Sequence, residues 1–118
     1  MTDRSSPFRP KDWLAKPFSF GRSASATVDQ SVGNDFASAR TAWLQHCLCL
    51  RIRRQLDDRG MTLKQLSIDA GIEYQYLTKL LRGDLTMQLH HLAAIDSALP
   101  GAVFDQIPSL KLEVDREP

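Results

Sequence analysis

Glycines at positions 60, 71 and 83 cut the centre of this 118-residue chain into segments of ten and eleven residues, room only for short helices. In the first, Thr62 is placed to accept from the backbone N–H of Gln65 while the Gln65 side chain reaches back to Thr62, a reciprocal capping box. Leu63, Leu66 and Ala70 follow at i, i+3 and i+7, leaving Lys64, Ser67 and Asp69 outside. Gly71 ends that helix as a left-handed residue, Ile72 staples the turn to the core, and Glu73 stands where the second helix is capped. Leu77, Leu80 and Leu81 form its buried stripe, and Gly83 stops it. The expected unit is two short helices joined by a tight turn.

The second helix keeps Tyr74, Gln75, Thr78, Lys79 and Arg82 for solvent. Gln offers adenine a paired donor and acceptor, Lys donates to guanine, and Thr can touch a thymine methyl. Arg82, at the far end, suits a phosphate. An ordinary solvated helix face has a similar composition, but here the surrounding turn chemistry favours a face that reads DNA.

Residues 48 to 107 resemble the lambda-repressor-like, XRE-type helix-turn-helix family of phage repressors and Cro proteins. The resemblance rests on Gly60-Met61-Thr62, on Leu66-Ser67 followed by Ala70-Gly71-Ile72, on the run from Tyr76 to Gly83, and on Leu89, Leu92, Ile95, Ala98 and Leu99. It implies an all-α fold, a compact bundle of about five helices that binds double-stranded DNA, acting as a dimer on a palindromic operator. By this resemblance Tyr74, Gln75, Thr78 and Lys79 read bases, while Thr62, Lys64, Tyr76 and Arg82 contact phosphates. Two positions depart from the family pattern. Leu63 stands where a Gln commonly touches phosphate, and Tyr74 replaces a small residue at the start of the reading helix. The Tyr76 ring either lies along the sugar-phosphate backbone or folds back onto the bundle.

A net charge of +1 is modest for a nucleic-acid protein, yet it is unevenly spread. Residues 41–83 hold seven Lys/Arg against four Asp/Glu, and residues 84–118 hold two against six. The positive share falls on the reading unit, as attraction to phosphate requires. Cys47 and Cys49, at i and i+2 of a helix, diverge too far for an easy disulfide, and with His46 they lack the spacing to converge on a metal. No metal, cofactor or enzymatic activity is expected, since neither a phosphate loop nor a nucleophile elbow occurs. With no apolar run near the roughly 20 residues that span a bilayer, the expected location is the cytoplasm.

Three divisions are expected: residues 1–34, a flexible aromatic and basic arm; residues 35–108, the helical domain; and residues 109–118, a tail. In the arm, Pro7, Pro10 and Pro17 break any long helix, while Phe8, Trp13, Leu14, Phe18 and Phe20 alternate with Arg9, Lys11, Lys16 and Arg22. These rings can fold back on the domain, dock on a protein partner through residues 8–22, or run along DNA. A long first helix starts with Asn34 or Asp35 as cap, and its apolar stripe is Leu44, Leu48, Ile52 and Leu56. Phe36, Ala39, Trp43 and Cys47 then make a second apolar face that a symmetric partner, or the N-terminal aromatics, must cover. Thr86 is expected to cap a helix burying Leu89, Leu92, Ile95 and Leu99, followed by a short turn with Val103, Phe104 and Ile107 inside. Leu110, Leu112 and Val114 alternate with charges, the period of a dimer-pairing strand or else of a frayed end. The expected protein is a dimeric repressor on an inverted-repeat operator, contacting the major groove. The alternative is a protein-binding antitoxin of a toxin–antitoxin pair whose DNA binding is secondary.

Overall fold

The computed structural model describes residues 8–29 and 35–103. Within them lie four α-helices, α1 (Phe36–Arg59), α2 (Leu63–Ala70), α3 (Tyr74–Arg82) and α4 (Leu89–Ala98), after two 3-10 helices at Pro10–Trp13 and Pro17–Ser19. The fold is all-α. The only strand-like pairing among the described residues is an antiparallel bridge between Leu14 and Val28. The expected turn at Phe104 and Ile107, and the strand at Leu110, Leu112 and Val114, lie outside the described residues.

Local chemistry sets the helix ends. The Asp35 carboxylate accepts from the Ser38 backbone N–H at 3.0 Å and from its hydroxyl at 2.7 Å, starting α1. Thr62 Oγ1 accepts from Gln65 N at 3.1 Å, but the Gln65 side chain donates to Asp69 at 2.9 Å instead of turning back. Only half of the expected capping box forms, since the Gln65 amide is turned forward to donate to Asp69 one turn ahead. Glu73 caps α3 by bridging two amides, Gln75 N at 3.1 Å and Tyr76 N at 2.9 Å. At α4 the expectation of a Thr86 cap is corrected. Gln88 caps the helix in a reciprocal box with His91, whose Nδ1 accepts from Gln88 N at 3.1 Å.

Packing corrects three further readings. The buried face of α1 is Ala42, Gln45, His46, Cys49, Ile52 and Leu56, since a strict four-residue repeat drifts around a helix of 3.6 residues per turn and leaves Leu44 exposed. Leu89 is 80% exposed, and α4 buries His91, Leu92 and Ile95 instead. Ser67 lies inside rather than outside, its hydroxyl satisfied by the Lys64 carbonyl at 2.6 Å. Leu66, Leu77, Leu80, Leu81, Ile95 and Leu99 complete the core with no exposed surface.

Of the alternatives left open for the N-terminal segment, folding back on the domain is the one formed: residues 8–29 make a layer packed on α1 and the end of α3 rather than a flexible arm. Leu14 and Phe20 are buried in the main core. The layer closes on itself where Ala15 N donates to Thr27 O at 2.8 Å and Asp29 N to Trp13 O at 2.9 Å. It is fastened below by Gly21 N donating to His46 Nδ1 at 2.8 Å, with the Phe20 ring edge-on to His46. It is fastened at the side by Lys11 N donating to Gly83 O at 3.1 Å. Gly83 is required twice over: its φ is +80°, and a Cβ there would lie 2.8 Å from the Phe20 ring.

Candidate nucleic-acid interface

One buried amide on α1 ties down the end of α3 and the loop that follows. Gln45 Nε2 donates to the carbonyls of Leu80 and Leu85, both at 3.0 Å, and Gln45 Oε1 accepts from Met87 N at 2.7 Å. These bonds add to those the Leu80 carbonyl accepts from Gly83 N and Cys49 Sγ, and they satisfy the loop after α3, where no helix supplies partners. Sequence reasoning missed Gln45. Its signal was its place in the stripe 42, 45, 49, 52, 56, where an uncharged polar side chain interrupts an apolar face.

Anchored this way, α3 buries Leu77, Leu80 and Leu81 and turns its other face outward. Gln75 and Lys79 are exposed, and no side chain of the described residues hydrogen-bonds to their polar ends. Tyr74 is partly exposed, and Lys64 Nζ, projecting from α2, sits 5.7 Å from the centre of its ring. Thr78 is half-buried, its hydroxyl donating back to Tyr74 O at 2.9 Å, so it presents mainly its methyl. Tyr76 leans toward α4, its ring 5.4 Å from that of His91, and stays partly exposed. Thr62 is exposed at the N-terminus of α2, its hydroxyl oxygen engaged by the cap. Thus Tyr74, Gln75, Thr78, Lys79 and Lys64 share one surface, with Tyr76 at its edge.

Arg82 stands at the far end of α3, as read from the sequence, and stays partly exposed. Its guanidinium grips Asp84 at 2.6 and 3.0 Å, and the same carboxylate binds Lys11 of the N-terminal layer at 2.5 Å. Burial alone would raise the Asp84 carboxyl, but Lys11 and Arg82 outweigh it and hold it below the usual carboxylate range. The count of charges in residues 41–83 is misleading as a map of available cations. Arg51 is spent on the carbonyls of Ala102 and Gly101, and Arg59 on that of Pro100 at 2.8 Å. The cations left facing solvent near α3 come partly from the N-terminal layer.

The remaining candidates separate cleanly. Phe36 is 80% exposed, and Trp43 is half-buried with its ring 5.0 Å from that of His46. Together with Ala26, Val28 and Ala39 they line an open apolar groove of about 660 Å³. His46 and Cys49 are buried and Cys47 is exposed, so the three do not converge; burial pushes the Cys49 thiol up to about 12. No helix among the described residues is long and apolar enough to cross a membrane. Residues 51–100 match the family model of the Cro/C1-type HTH DNA-binding domain. No match to the chain is found among the curated proteins or the solved structures.

Proposed function

We propose, from the match of residues 51–100 to the Cro/C1-type HTH DNA-binding domain, that this chain is a DNA-binding regulator, and specifically a sequence-specific, homodimeric repressor that reads an inverted-repeat operator through the major groove. The observation that supports it best is the exposed face of α3, rigidly backed by three core leucines and by Gln45, with Gln75 and Lys79 uncommitted. Tyr74, Gln75, Thr78 and Lys79 read base edges; Lys64, Tyr76 and the capped start of α2 at Thr62 position the backbone. Two such helices, one per subunit, would enter successive grooves about 34 Å apart and exclude competing proteins.

A dimer needs a self-complementary surface, and the groove beside Phe36 and Trp43 supplies exposed apolar area of the kind a second copy covers. Footprinting on a duplex selected from random sequence tests the whole reading. Two protected half-sites one helical turn apart are expected, and Lys79→Ala should cost about 1–3 kcal/mol on that site. A single unpaired footprint with no symmetry in the selected sequence would overturn the dimeric part.

A further inference from the structure

We propose that the groove between the N-terminal layer and the end of α3 is a second DNA contact, one that takes the sugar-phosphate backbone beside the base pairs read by α3. This rests on the DNA-binding reading above and extends its footprint to a part of the chain outside residues 51–100.

The groove, about 800 Å³, is lined by Lys11, Phe18, Arg22 and Arg82. One carboxylate, Asp84, answers Lys11 and Arg82. No described residue pairs with the Arg22 guanidinium, and Arg53 behind it has a buried Nε with no hydrogen-bond partner. Burial lowers the Arg53 pKa and the neighbouring charge of Arg22 lowers it further, outweighing Cys49 and Asp57, which raise it, so Arg22 and Arg53 add like charge beside the groove. Phe18, beside these cations, is 79% exposed. A ring so placed gains little in water, whereas against a deoxyribose it would be covered.

Position decides for the backbone of a duplex over other anions. Arg82 follows Lys79 by three residues and Thr78 by four, so the groove opens where the reading face ends. The N-terminal residues of a reading helix touch base edges, and the step from Gln75 to Arg82 is about 10 Å along the axis. With its N-terminal end on the base edges, a helix lying in the major groove brings its far end toward the phosphates of the rim.

Arg22→Ala and Phe18→Ala alter exposed side chains, and circular dichroism checks that they stay folded. On a selected duplex, Arg22→Ala should weaken all sequences by one common factor and flatten the salt slope by about 1, and Arg22→Lys should restore it. Phe18→Ala should weaken binding with the slope intact. Gln75→Ala serves as the separate test of the reading face, shifting base preference without altering the slope. If Gln75→Ala shifts preference while Arg22→Ala leaves affinity and slope unchanged, the groove proposal is overturned and the reading of α3 stands. If the intact protein selects no duplex at all, both fall.

Discussion

Gln45 shows how one side chain can decide where a recognition surface sits. Its amide serves three backbone groups on α3 and the following loop, so Gln45→Ala should cost about 2–4 kcal/mol in denaturant titrations by leaving buried groups unpaired. The two buried histidines act in the same manner, as acceptors. His46 holds Gly21 and His91 holds Gln88, each through Nδ1. Burial lowers both below the ordinary 6.5, with His90 adding to the effect at His91. The unfolded chain therefore binds their protons first: stability is full above about pH 6.5 and declines as pH falls through the depressed values. Thermal melts between pH 8 and 5 should show that decline, and His46→Gln should reduce it. The stripe marks Gln45 as buried, but the partners of Gln45 and His46 were not legible in the sequence, because an isolated Gln or His carries no record of which distant group it faces.

At the scale of elements the sequence was far more open. The glycine stops, the Thr62 and Glu73 caps and the leucine stripe of α3 depend on neighbours within four residues, and that is why they could be read directly. The error at α4 is of another kind, since the box between Gln88 and His91 is just as local, but it is built from Gln and His where Thr86 offers the commoner capping residue. Two substitutions separate local from tertiary contributions. Gly71 has φ +69° and nothing within 4 Å of a built Cβ, so Gly71→Ala should cost only the left-handed backbone penalty, about 1–2 kcal/mol. Gly83→Ala adds a collision with the Phe20 ring and should cost about 1–3 kcal/mol more, in the same unfolding assay. Glu73→Ala removes a cap shared by two amides and should fray the start of α3 for about 1 kcal/mol, visible as faster amide exchange at Gln75 and Tyr76.

Over the whole molecule, the N-terminal layer is the feature that local pattern concealed most. Its prolines and small polar residues suggest an arm, yet Leu14 and Phe20 belong to the same core as Ile52 and Leu80. The contacts that order it span dozens of residues, and no window of sequence reveals them. Phe20→Ala should destabilise the entire domain by about 3–5 kcal/mol in a single cooperative transition, measured by urea unfolding. A separable arm would instead leave the midpoint unchanged.

The bond from Lys11 to Gly83 also dictates a sequence of events during synthesis. Residues 8–29 leave the ribosome before α3 and complete their seat only after the tunnel has released it. Nascent chains arrested before Gly83 should therefore leave residues 8–29 open to protease, and chains arrested well beyond it should shield them.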